Sequence, residues 1–221
     1  MLRFHIVTLF PESFSYLGES IIGRAQEAKK IAVSFLNPRD FTTDKHRVTD
    51  DKAYGGGPGM VMKAEPVLKA IDKALGRKKH ATVVMFTPSG KILAKETARD
   101  FARAGKNIIL VCGHYEGVDE RVVDVLRDRG IDVRKISIGP YVLSGGELPA
   151  MILIDAVARH IPGVLGKQES LEEARTASPE TYTRPESFTY KKKKYRVPEI
   201  LLSGDHKKIE EWRASREDLT K

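Results

Sequence analysis

Residues 136–159 read ISIGPYVLSGGELPAMILIDAVAR, and this stretch constrains the fold more than any other. A run of β-formers, Val133 to Ile138, stops at Gly139-Pro140. Tyr141-Val142-Leu143 and a small-residue turn, Ser144-Gly145-Gly146, follow, and a helix opens near Glu147. Pro149 is tolerated only in a first helical turn, which makes Gly146 a better N-cap than Ser144 and weakens a Ser144-x-x-Glu147 capping box. Two glycines between an apolar run and a helix leave backbone N–H groups bare, so a ligand can approach the main chain. The plain alternative is an ordinary strand–turn–helix corner.

The rest of the chain repeats this alternation. Strands are expected over Arg3–Leu9, Ile31–Leu36, Ala81–Phe86 and Ile108–Cys112. Helices are expected after Pro11 (apolar at Phe14, Leu17, Ile21 and Ile22), over Glu65–Leu75, over Ala94–Ala104 stopped by Gly105, and over Glu120–Arg127 closed by Gly130. Strands alternating with helices predict an α/β fold with a mostly parallel sheet. Such sheets bind ligands outside the carboxyl ends of their strands. Three glycine-bearing turns fall at such ends: Thr87 to Gly90, Gly113 to Gly117, and Gly139 to Gly146. Their convergence would build a small-molecule pocket.

Two segments break the pattern. Asn37 to Met62 is a long polar loop holding YGGGPGM, with Tyr54 and Met60 flanking the glycines; ordered packing against a ligand or partner is expected there. It is neither a GxGxxG fingerprint nor a P-loop. After Pro162 the chain turns polar, and 163–187 reads as a linker. It leads to the basic run YKKKKY at 190–195, apolar Pro198–Leu202, and a helix capped by Asp205 with Ile209 and Trp212 as its apolar positions. A tail this short cannot bury a core alone, so it must dock on the main domain, a second subunit or RNA. The net charge of +8 over 221 residues favours a polyanionic partner, nucleic acid before a membrane surface. The single cysteine, Cys112, excludes an internal disulfide, no Cys/His spacing matches a zinc site, and no metal is expected. No signal peptide pattern and no membrane-spanning run occur, so a cytoplasmic protein is expected.

The segments LFPESF, PRDFTTDKHR, YGGGPGM, LVCGHYEGVDER, SIGPYVLSGGELPAMILIDAVARHIPGVLG, YTRPE and VPEILLSGDH resemble, in order, those of the TrmD family of bacterial tRNA (guanine-N1)-methyltransferases, of the SPOUT class. The resemblance implies a deep trefoil knot around Thr87 to Gly146, a homodimer with active sites at its interface, and S-adenosylmethionine as methyl donor. By position it assigns donor contacts to Phe86, Thr87, Pro88, Gly90, Gly113, Tyr115, Glu116, Gly117, Ile138, Gly139, Pro140, Tyr141, Val142 and Leu143, with Gly145 and Gly146 close by. The domains it implies are a methyltransferase domain over 1–162, a linker over 163–187, and a tRNA-binding extension over 188–221 that is cut short.

The resemblance also implies the chemistry. Guanine N1 must lose its proton as the methyl group arrives, while negative charge builds on O6. The family's arginine, suited to O6, falls on Arg159; the plain reading of Arg159 is an ion pair with Asp155 at i, i+4. The family's basic aspartate has no counterpart in Ser170-Leu171-Glu172-Glu173-Ala174-Arg175, and the adjacent Glu173 is expected to replace it. Gly139-Pro140-Tyr141 departs from the family's Gly-Asp-Tyr and loses a backbone N–H and a carboxylate. His114 stands where some members have arginine. Lys45, His46, Arg47 and Lys191–Lys194 would face tRNA. The alternatives are a non-catalytic donor- or RNA-binding protein and a SPOUT methyltransferase acting on another RNA site.

Overall fold

The computed structural model describes residues 1–76, 81–105, 107–165 and 180–217. The chain divides into two compact units, Met1–Leu165 and Gly166–Lys221.

In the first unit, β1 (Leu2–Val7), β2 (Ile31–Leu36), β5 (Ala81–Ile92), β6 (Asn107–Val111) and β7 (Asp132–Ser137) form one sheet in the order β2-β1-β6-β5-β7. Every pairing in it is parallel. The central strands read as continuous apolar runs because both faces are covered. Phe4, Ile6, Val84, Ile108 and Leu110 point to one face, against α1 (Ser20–Glu27), α3 (Lys95–Ala104) and α5 (Glu147–Ala158). Val7, Val83, Met85, Ile109 and Val111 point to the other, against α2 (Ala64–Leu75) and α4 (Arg121–Asp128). The two-residue period of the strands thus sorts one sequence into two cores.

Three expectations are corrected. Thr87–Gly90 is not a turn that ends a strand. β5 runs for twelve residues, and both Phe86 and Lys91 pair with Ile136 of β7, so residues 87–90 bulge out between two pairings with one partner. The segment after Pro11 is a 3-10 helix, Pro11–Gly18, separated from α1 by an extended Glu19. The loop from Asn37 to Met62 is built: Asn37 caps a 3-10 turn, Pro38–Phe41, by accepting from the Arg39 N–H at 3.0 Å. Beyond it β3 (Asp50–Lys52) and β4 (Met60–Met62) make an antiparallel hairpin with the glycines at its tip.

In the second unit, β8 (Ser187–Tyr190) and β9 (Lys193–Arg196) form a hairpin turned by Lys191 and Lys192, both at positive φ. β8 begins at Ser187, the last residue assigned above to a linker. α6 (Glu199–Leu202) and α7 (His206–Glu217) follow, and the Asp205 carboxylate accepts from the Lys208 N–H at the start of α7. Among the described residues of this unit none is buried.

Candidate active site

β5, β6 and β7 lie side by side, so the bulge within β5 meets the loops that follow β6 and β7. They enclose a cavity of about 440 Å³ lined by Phe86–Ser89, by Gly113 and Tyr115–Val118, and by Ile138, Gly139 and Tyr141–Gly146. Fourteen of the sixteen residues assigned above as donor contacts line it; Gly90 and Pro140 do not. Gly90 has another reason to be glycine: a Cβ there would lie 2.7 Å from the Ile136 backbone, inside the β5–β7 contact. Pro140 is exposed, so its missing N–H is not taken from the cavity wall.

The loop after β6 turns tightly. Tyr115 and Gly117 have positive φ, and the Gly117 N–H donates to the His114 carbonyl at 3.0 Å. The hairpin arm is sewn to this loop by main-chain bonds: Glu116 N–H to the Met60 carbonyl, Met62 N–H to Gly117, and Asp119 N–H to Met62. The loop after β7 is held by Ser137, whose hydroxyl donates to the Gly139 carbonyl at 2.9 Å and accepts from the Gly139 N–H at 3.2 Å. The Tyr141 hydroxyl donates to the Ile138 carbonyl at 3.1 Å, which lays the ring over Gly139.

Gly145 and Gly146 line the cavity but are not bare. The Gly146 N–H donates to the Gly113 carbonyl at 3.0 Å. A Cβ on Gly146 would fall 2.5 Å from Cys112 Cα, and one on Gly145 would fall 2.5 Å from Glu147 Oε2 and run into the His114 ring. These glycines are required by the protein's own packing. At the N-terminus of α5 Gly146 is the N-cap, as expected, and no side chain caps it.

Sequence reasoning missed the polar cluster behind this wall. Glu147, only 8% exposed, accepts from the Thr8 hydroxyl at 2.6 Å on Oε1 and pairs with His114 Nε2 at 2.8 Å through Oε2. Burial, with the Glu147 carboxylate nearby, pushes the Cys112 thiol well above its ordinary range. The signal was an acidic residue opening the apolar helix ELPAMILI; its partners were not legible.

Arg159 is not brought to the cavity of its own chain. It is the C-cap of α5, thirteen residues beyond Gly146, and at 1.5 Å per residue that places it about 20 Å along the helix axis. It makes no ion pair with Asp155 among the described residues; Asp155 instead accepts from the Tyr16 hydroxyl at 3.4 Å. Glu173 and its neighbours lie outside the described residues. Lys45, His46 and Arg47 are exposed on the loop before β3, which Asp44 braces by accepting from the His46 and Val48 N–H groups; the same bonds, Val48 first, lower the Asp44 carboxyl pKa.

Residues 2–221 match the family model described as tRNA (Guanine-1)-methyltransferase TrmD. The chain belongs to this family. Similar curated proteins, each named tRNA (guanine-N(1)-)-methyltransferase, include one from Anaeromyxobacter sp. (strain K), 49% identical over 219 residues, covering 96% of this chain and 84% of that protein. One from Carboxydothermus hydrogenoformans is 46% identical over 217 residues, covering 96% and 81%. One from Clostridioides difficile is 47% identical over 219 residues, covering 96% and 90%. TrmD membership makes the chain a tRNA methyltransferase acting on guanine N1, and the cavity at the strand ends is the candidate place for that chemistry.

Proposed function

We propose that this protein transfers the methyl group of S-adenosylmethionine to N1 of the guanine at position 37 of tRNA, beside the anticodon. One observation carries the reading: the bulge within β5 and the loops that follow its sheet neighbours β6 and β7 close on a single cavity of about 440 Å³. That volume lies in the range of small-molecule sites, about 300–1,000 Å³. Its wall mixes main chain at Gly113, Gly117, Gly139 and Gly145 with side chains of Phe86, Tyr115, Val142 and Leu143. This suits a ligand with an aromatic base, a polar ribose and a charged end.

The bound donor supplies an electrophilic methyl group on a sulfonium. The chain's own residues would handle the guanine. As N1 forms its bond to the methyl carbon, the carbon–sulfur bond breaks with its electron pair left on sulfur as a neutral thioether, and the N1 proton leaves to a carboxylate, which we assign to Glu173. Charge growing on O6 is met by the guanidinium of Arg159.

The distance of Arg159 from its own cavity argues that it serves a second copy's cavity. Leu148 and Ile152 are 55% and 45% exposed and share one face of α5 with Arg159 at helical spacing. A homodimer covering that apolar face would carry Arg159 with it. We place the rest of the family's architecture here too: a trefoil knot in the first unit, a linker, a tRNA-gripping extension presenting Lys191–Lys194, and a cytoplasmic site of action. No helix among the described residues is long and apolar enough to cross a membrane.

Mass spectrometry of tRNA incubated with protein and donor tests the activity, and calorimetry with the donor tests the pocket. One methyl group on guanine N1 at position 37 is the expected product; bound donor with no methylated tRNA would leave a binding protein only. Glu173→Gln should lower single-turnover methylation by about 10²–10⁴-fold with donor affinity intact. An unchanged rate would remove Glu173 from the mechanism.

A further inference from the structure

The Thr8–Glu147–His114 cluster is a buried polar group that the proposed chemistry leaves without a task. Its members come from three places: the end of β1, the first turn of α5 and the loop after β6. Both carboxylate oxygens of Glu147 are engaged, and the N-terminus of α5 favours negative charge there. The Phe10 ring meets the His114 imidazole edge-on at 4.9 Å, which fixes the imidazole on a further side.

Neither Glu147 nor His114 lines the cavity, but their chain neighbours do: Gly113 and Tyr115 on one loop, Gly145 and Gly146 on the other. The same two loops are joined by the Gly146–Gly113 main-chain bond and a bridge between His114 and Gly145. Apolar side chains of similar volume could close this space at least as stably as a buried polar pair. They could not fix the direction in which each loop presents its main chain.

We propose that Glu147 is a positioning residue, acting through His114 to hold the two loops in the shape that accepts the methyl donor. This rests on the reading of the cavity as the donor site. Loops ordered in advance do not lose freedom when the donor binds, so the effect belongs in donor affinity.

The test is calorimetry with S-adenosylmethionine and steady-state kinetics in donor, with thermal unfolding followed alongside. Glu147→Gln and His114→Phe should each weaken donor binding by about 10–100-fold. The double variant should be little worse than the worse single one, because the two act as a unit. His114→Gln, whose amide can still donate to Glu147, should recover most of the affinity. KM for the donor should carry the loss, with kcat at saturating donor moving far less. Donor affinity in Glu147→Gln equal to that of the wild type overturns the proposal. So does a parallel fall of kcat, affinity and unfolding temperature without recovery in His114→Gln. If Glu147→Gln does not fold, Thr8→Val removes the hydroxyl that donates to Glu147 and accepts from the Phe10 N–H at 3.0 Å, and should weaken donor binding by about 3–10-fold; no change there also overturns the proposal. A folded wild type that binds no donor overturns the reading of the cavity itself, and this inference with it.

Discussion

Two glycine clusters, Gly55-Gly56-Gly57 with Gly59 in the hairpin arm and Gly145-Gly146 before α5, look alike in sequence and are opposites in space. In the arm, Gly55, Gly56 and Gly57 have φ of +87°, +81° and +109°, and no heavy atom lies within 4 Å of where a Cβ would be. Tyr54 beside them is 98% exposed. Before α5, Gly146 has an ordinary φ of −84°, and a Cβ would strike backbone. The arm needs glycine for backbone freedom; the turn needs it because there is no volume to spare. Gly59 belongs to both kinds, with φ of +96° and the Glu116 side chain where its Cβ would be.

This contrast can be broken by substitution. The largest effect is expected at Gly146. Gly146→Ala sets a methyl group 2.5 Å from Cys112 Cα and 3.0 Å from Gly113 N, and overpacking against backbone costs about 1–3 kcal/mol or more. Urea unfolding measures it, and alkylation of Cys112 reports it locally. The thiol is buried with its pKa raised, so it should resist iodoacetamide in the wild type and react faster in the variant. An unfolding midpoint equal to that of the wild type would refute the packing account.

Gly145→Ala should cost somewhat less, about 1–2 kcal/mol, because the obstacles are side chains that can swing. Donor affinity should fall with it, as His114 and Glu147 are displaced. Gly113→Ala sharpens the comparison further. Its Cβ would meet only Val118 Cγ2 at 3.2 Å, so a loss of under about 1 kcal/mol is expected by the same unfolding assay.

In the arm, Gly56→Ala meets nothing, and its cost is the positive φ alone, on the order of 1 kcal/mol; donor affinity should not move. The smallest stability effect belongs to the second unit, where no described residue is buried. Lys191–Lys194 replaced by alanine should leave unfolding unchanged. It should flatten the plot of log tRNA affinity against log salt by about 0.7–0.9 for each phosphate the lysines had neutralised. An unchanged slope would make the run a solvated face only.

The amino-acid sequence by itself determined the alternation of the main sheet's strands with helices, the parallel sheet and the family. Each of those is written in short-range pattern: apolar spacing along β1 or α2, a glycine closing α3, contiguous segments such as SGGELPAM. It also pointed to the turns after β6 and β7, because a break after an apolar run is a local feature. The bulge at 87–90 was beyond it, since only the resumed pairing of Lys91 with Ile136 shows that the strand continues. The hairpin arm was missed because three-residue strands leave almost no periodic signal.

Only the tertiary structure decided what Glu147 does. Thr8 is 139 residues away in the chain, and the two meet because β1 lies beside β6 and α5 starts above both. The structure likewise decided that Arg159 stands a helix length from its own cavity. Local propensity acts over a few residues, whereas a buried hydrogen-bonded cluster or a site shared between chain segments depends on strand order and helix length. Those are settled only when the two cores on either side of the sheet are packed.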